Sequence, residues 1–144
     1  MKRENMLRII VALLVILYFY TALSKLMEFQ IFKRQLSNQT IPKWSVALLA
    51  WSIPVSELLA VAVLITPRFR KTGFYLSVIL MFVFTAYMGL VLINFFDRIP
   101  CHCGGVVGNM QFKQHFFFNL FFLIISIAGV FLCGKQTDRS SPTI

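Results

Sequence analysis

The chain has 144 residues, room for one domain, and sets 14 Lys and Arg against 5 Asp and Glu for a formal charge of +9. Apolar residues make up 58% and charged residues only 13%, where soluble domains carry about 25% charged residues. With its apolar residues gathered into blocks, the composition excludes a soluble globular protein. It makes the lipid bilayer the first partner, and the absence of any basic helix or DNA-binding motif argues against nucleic acid.

A bilayer core is crossed by ~20 apolar residues in a helix, and four stretches meet that length. The first is Ile9 to Leu26, with Lys25 near its end. Met1-Lys2-Arg3, the apolar run and Ala22-Leu23-Ser24 have the outline of a signal peptide. The segment is read instead as a first transmembrane helix. Met27 to Leu36 then mixes Phe29, Ile31, Phe32 and Leu36 with charges, the pattern of a short helix lying in the interface. Ser37-Asn38-Gln39-Thr40 reads as a turn, and Pro42 suits the first turn of the next helix.

The second span is Trp44 to Ile65, interrupted by Pro54 and Glu57, and the third is Gly73 to Phe96, without charge. The short link between them predicts a tight antiparallel hairpin. The fourth span is Phe116 to Cys133, also uncharged, and a polar tail over 134–144 is expected to be disordered. Lipid offers backbone groups no hydrogen bonds, so all four spans are expected as helices. The fold class is all-α: an integral membrane four-helix bundle in one domain, residues 1–133.

Orientation follows the Lys and Arg distribution. With the N-terminus inside, Lys2, Arg3, Arg8, Arg68, Arg70, Lys71, Lys135 and Arg139 lie inside, against Lys25, Lys33, Arg34, Lys43, Arg98 and Lys113 outside. The Arg68-Phe69-Arg70-Lys71 turn is the strongest local signal. Both termini are then cytoplasmic, and the segment between spans three and four faces the periplasm of a bacterial inner membrane.

That segment contains Cys101-His102-Cys103-Gly104-Gly105. Two cysteines one residue apart can close a small, strained ring, and strained, exposed disulfides are the labile, exchanging ones. Gly104 and Gly105 allow the backbone angles such a ring needs, while His102 and Arg98 are local groups that favour a thiolate. A static staple is the plainer alternative. A soft metal site is another, since Cys101, His102, Cys103, Met110 and His115 would suit Cu(I) or Zn. Their spacing matches no standard zinc pattern, and no metal site is assigned. Cys133, at the other end of the fourth span, is expected to stay reduced.

Glu57 is the second anomaly, because a carboxylate inside a span is costly and is by default a functional hypothesis. Lys25 is its obvious partner, either as a bridge locking two helices or as part of a proton-handling site; Lys25 could also snorkel to the interface. Pro54 frees a backbone carbonyl one turn before Glu57. His115 and Asn119, one turn apart at the start of span four, are placed to support the cysteine segment or to hold a neighbouring helix. The Phe-rich start of span four reads as packing and lipid surface, with quinone stacking as an alternative.

Four spans, Ser24-Lys25 closing the first, Pro54-x-x-Glu57 in the second, Pro100-Cys101-His102-Cys103-Gly104-Gly105, and a fourth span opening with His115 and Asn119 together resemble the MauE branch of the DoxX-like membrane proteins. The resemblance runs from about residue 7 to 133. It implies a redox-associated membrane protein. MauE is associated with methylamine utilisation and with maturing the disulfide-rich small subunit of methylamine dehydrogenase, beside a thioredoxin-like partner. The four-helix form also looks like DsbB-type and vitamin-K-epoxide-reductase-type enzymes, which pass electrons from thiols to quinone; this is analogy of fold. The chain departs from them in having one outer cysteine pair and no CxxC.

The favoured expectation is a membrane component of periplasmic thiol–disulfide exchange or disulfide maturation. Cys101 and Cys103 would exchange with a thioredoxin-like protein or an exported client, supported by Lys25, Glu57, His102, His115 and Asn119. No cofactor is fixed by the residues; a quinone is the candidate electron acceptor. The rivals are an accessory subunit with the pair as a staple, and a copper- or heme-handling protein.

Overall fold

A computed structural model of the chain describes residues 2–39, 41–93, 95 and 112–139. Every regular element among them is a helix: α1 Lys2–Met27, α2 Phe29–Ser37, α3 Lys43–Ile65, a 3₁₀ turn at Pro67–Phe69, α4 Arg70–Leu92 and α5 Phe112–Arg139. Four of these are long and apolar enough to cross a membrane. The long helices close into a ring, α1 against α3, α3 against α4, α4 against α5, and α5 back against α1. This is the four-helix bundle expected from the composition, and the chain is a multi-pass membrane protein.

The distribution of side chains is that of a protein dissolved in lipid. Thr21, Glu57, Ser77, Thr85, Asn119 and Ser126 are buried, whereas Ile16, Phe82 and Phe131 face outward, Phe131 with 69% of its surface exposed. In water this arrangement would expose a large apolar surface; in a bilayer that surface meets hydrocarbon and the polar groups meet one another. Trp44, at the start of α3, is 79% exposed, the placement of an aromatic residue at a membrane interface.

Because lipid is as apolar as a side chain, close packing must hold the helices together, and small residues make it possible. Gly129 of α5 lies flat on Phe74 of α4: a Cβ there would sit 2.4 Å from the ring. Gly73 brings the start of α4 against Leu64 at the end of α3, where a Cβ would stand 3.0 Å from the Leu64 backbone nitrogen. Ala22, Ala50 and Ala60 are completely buried. A polar contact crosses the bundle where the Tyr18 hydroxyl of α1 donates to the Ser77 carbonyl of α4 at 3.2 Å.

The α3–α4 connection is the tight hairpin expected. The Thr66 hydroxyl turns back to donate to the Ala62 carbonyl at 2.9 Å, and Pro67 starts the 3₁₀ turn. At the opposite end, α1 breaks at Glu28 and the chain re-enters helix at once as α2. Phe32 and Leu36 of α2 are buried against Val46 and Ala50 of α3, and the Phe29 and Trp51 rings lie 4.7 Å apart. The amphipathic segment is therefore a helix, as its pattern indicates, and its apolar face lies on the first turns of α3.

Two boundaries differ from the sequence-based expectation. α4 ends at Leu92, short of Phe96, because Ile93 leaves helical geometry (φ −85°, ψ 10°) and the Phe95 amide donates to the Leu90 carbonyl at 3.1 Å. That bond spans the residues a Schellman closure joins and can end a helix inside an apolar run. α5 continues past Gly134 to Arg139. One glycine costs a helix interior only about 1 kcal/mol, and Lys and Gln beyond it are good helix formers.

Candidate functional site

At the end of the bundle formed by the C-termini of α1 and α4 and the N-termini of α3 and α5, the helices leave a cavity of about 320 Å³. Lys25 stands in the last turn of α1, where the helix dipole favours a cation. Glu57 lies roughly 20 Å along α3 from Lys43 at 1.5 Å per residue. The first turns of α3 thus project beyond α1, and α2 folds back over them. This register brings Lys25 level with Glu57 although 32 residues separate them.

The Lys25 Nζ donates to Glu57 Oε1 at 2.5 Å, with side-chain exposures of 13% and 2%. The ammonium also lies 5.8 Å from the centre of the Phe32 ring and 5.6 Å from that of Phe84. Aromatic faces attract a cation at such distances, so α2 and α4 both help to hold Lys25. The other carboxylate oxygen, Glu57 Oε2, is buried, and the Thr21 side chain is a further hydrogen-bonding neighbour of the carboxylate.

α5 contributes His115 and Asn119 to the same cavity, one helical turn apart. Thr21, one turn before Lys25, also lines it. The segment after α2 is tied to α4 where the Tyr87 hydroxyl donates to Gln39 Oε1. The remaining wall is apolar, with Leu36, Met81, Met88 and Phe118 prominent. Such a chamber can hold a lipophilic molecule and offer it hydrogen bonds near its head.

The structure thus joins four residues singled out in the sequence, Lys25, Glu57, His115 and Asn119, in one cavity. Pro54 is buried in α3, which runs through it. Cys101, His102 and Cys103, with Arg98 and Met110, lie outside the described residues. Among the described residues no three His, Cys, Asp or Glu side chains gather at metal-binding distance. The Phe cluster divides: Phe117 and Phe121 face outward, Phe118 lines the cavity and Phe122 enters the core. Sequence reading missed Thr21, Gln39 and Tyr87. Thr21 carried a signal, since it shares a helical face with Lys25; Tyr87 carried none, lying within an unbroken apolar run.

A family model described as "Methylamine utilisation protein MauE" matches residues 3–132. The chain belongs to the MauE family. No curated protein and no solved structure matches it. The MauE match takes in both the cavity residues and the Cys101–Cys103 segment, so the two features belong to one family unit. In this MauE chain that segment joins α4 to α5, the helices that supply Tyr87, Met88, His115 and Asn119 to the cavity.

Proposed function

We propose that this MauE-family protein serves methylamine utilisation, as its family is described, as a membrane component of thiol–disulfide exchange acting on exported proteins. The observation that carries the reading is Cys101-His102-Cys103-Gly104-Gly105, two thiols one residue apart in the link between two spans that wall a largely apolar cavity holding Lys25 and Glu57. In the oxidised pair, a client thiolate attacks one sulfur. A mixed disulfide forms, the second client thiol displaces it, and the client leaves with a disulfide while Cys101 and Cys103 become thiols. Lys25, Glu57, His115 and Asn119 organise the bundle beneath the segment, and His102 favours the thiolate. The placement is a bacterial inner membrane with both termini cytoplasmic and the cysteine pair periplasmic. The excess of Lys and Arg on the Arg68–Lys71 side supports this, and disulfides persist in the periplasm. The partner is a thioredoxin-like protein or the exported client itself.

The test is the reduction potential of the pair, measured by thiol trapping in defined redox buffers with Cys133→Ser. The expected result is a reversible transition between about −120 and −270 mV, the range of exchange proteins. A pair still oxidised below about −300 mV would be structural, and the protein would then be an accessory subunit stapled by that bond.

A further inference from the structure

We propose that the cavity beside Lys25 and Glu57 is a binding site for one acyl chain of a membrane lipid, which enters past Val83 of α4. The inference is independent of the thiol-exchange reading above.

The polar groups of the wall are largely satisfied within the protein. Lys25 Nζ and Glu57 Oε1 meet at 2.5 Å, and Glu57 Oε2 is enclosed. The Thr21 hydroxyl donates to the Tyr18 carbonyl at 3.2 Å, and the Tyr87 hydroxyl donates to Gln39 Oε1. His115 and Asn119 both stand on α5. The α3 and α4 sides are otherwise apolar, with Leu49 and Ile53 on the first and Met81, Phe84 and Met88 on the second. A charged head entering this space would lack a counter-ion, because the ion pair is already made. Water finds few partners along such a wall. A hydrocarbon chain instead gains dispersion contacts on every side. Met81 and Met88 are buried, and their flexible side chains adapt to chains of differing shape.

The way in decides between a hydrocarbon from the bilayer and a solute from water. Val83 lines the cavity and is 54% exposed. It follows Phe82 and lies one turn beyond Ile79, and both of these are exposed on the outward face of α4. The cavity thus reaches the side of the bundle that meets lipid. Val83 stands about 20 Å along α4 from Arg70 at 1.5 Å per residue, and a bilayer core is ~30 Å thick. With the basic Arg68–Lys71 turn at one membrane surface, the opening lies at the depth of hydrocarbon, whichever surface that is. The tail of a lipid can pass there while its headgroup stays at the interface. Leu17 and Lys25 both line the cavity, about 12 Å apart along α1 at the same rise per residue. Its volume of about 320 Å³ is at the small end of ligand pockets, about 300–1,000 Å³. That is room for part of one chain and excludes a whole lipid.

The test uses the full chain in nanodiscs of phosphatidylglycerol and phosphatidylethanolamine. The probe is a phosphatidylglycerol with a diazirine at the end of one acyl chain, and adducts are located by peptide mass spectrometry. Lipid around the bundle labels outward residues such as Ile16 and Phe131 in proportion to probe. The expected result is a second class of adducts on Met81, Phe84 or Met88 that saturates and is competed by unlabelled phosphatidylglycerol. Val83→Trp should reduce the second class about tenfold, the effect of a bulky ring filling the mouth of a packed site, and leave the first class unchanged. Correct folding is checked by the thermal transition, and Leu49→Phe, which narrows the cavity from α3, carries the test if Val83→Trp does not fold. Adducts on outward residues alone would overturn the proposal, as would cavity adducts that never saturate or that survive both variants. Stronger competition by a free fatty acid of the same chain length would also overturn it, assigning the space to a fatty acid in place of a bilayer lipid.

Discussion

Lys25 Nζ and Glu57 Oε1 lie 2.5 Å apart, joining the last turn of α1 to the interior of α3 within the bundle. The pair is asymmetric. Oε1 is met by the ammonium, while Oε2 is enclosed among the packed side chains. A bridge whose only task was to lock two helices would not need a cavity of about 320 Å³ beside it. The aromatic rings at 5.6 and 5.8 Å hold the lysine from two further helices, so removing either charge disturbs more than one contact.

Lys25→Met strands a buried carboxylate and Glu57→Gln strands a buried ammonium, and each should cost roughly 3–5 kcal/mol, the usual penalty for breaking a buried ion pair. The Lys25→Met, Glu57→Leu double variant should recover part of that loss, since apolar replacement of a whole buried pair is often neutral. Thermal unfolding in one detergent checks this. A double variant as unstable as the sum of its singles would show that the two residues act separately.

Gly129→Val should lower stability by about 1–3 kcal/mol, the range for overpacking. A Cβ at this position would already stand 2.4 Å from the Phe74 ring, which is fully buried. Phe74→Leu in the same chain should restore part of the loss by making room. The melting temperatures of the two single variants and the double variant read the effect.

Tyr18→Phe removes the hydroxyl that donates to the Ser77 carbonyl and should cost roughly 1 kcal/mol, the net worth of one internal hydrogen bond. The Ser77 carbonyl lies within α4 and keeps its helical partner, so no further penalty is expected. A loss several times larger would point to a role for the phenol beyond this one bond.

Membrane-impermeant thiol reagent added to intact cells should label Cys101 or Cys103 after mild reduction and leave Cys133 unlabelled until the membrane is opened. This follows from the proposed orientation, with the Arg68–Lys71 turn inside. Labelling of Cys133 alone would invert the topology and remove the periplasmic thiol reading.

A Cys103→Ser variant should trap an oxidised partner when the Cys101 thiolate attacks the partner's disulfide, and Cys101→Ser when Cys103 does, because the chain's second thiol, which would release that partner as a dithiol, is gone. Non-reducing gels and mass spectrometry of the adduct identify the trapped protein. Adducts absent from both variants while the protein is well expressed would favour a static staple.

Much of this architecture could be read from the residues alone. The four spans follow from run length and the lack of charge, and the α3–α4 hairpin follows from a short basic link that opens with Thr66-Pro67. The amphipathic pattern of Phe29, Phe32 and Leu36 marks α2. Glu57 is conspicuous because a charge in an apolar run is expensive wherever it points, and Lys25 follows as the cation nearest in depth. The cysteine pair is conspicuous for its chemistry.

The inward faces were a different matter. Transmembrane helices are apolar all round, so hydrophobic periodicity, which orients a helix in a soluble protein, is nearly flat in this chain. Which of Phe117, Phe118, Phe121 and Phe122 faces lipid depends on how α5 meets α4, and Gly129 against Phe74 helps to fix that contact. Thr21, Gln39, Tyr87, His115 and Asn119 come from separate parts of the sequence and share one chamber only because α2 folds onto α3 and the ring of helices closes. The sequence determined the number of spans and the costly charge that had to be paired, since both follow from the free energy of moving residues into lipid. Only tertiary packing decided that the pair borders a cavity, because that space exists between helices whose facing sides are set by contacts distant in the chain.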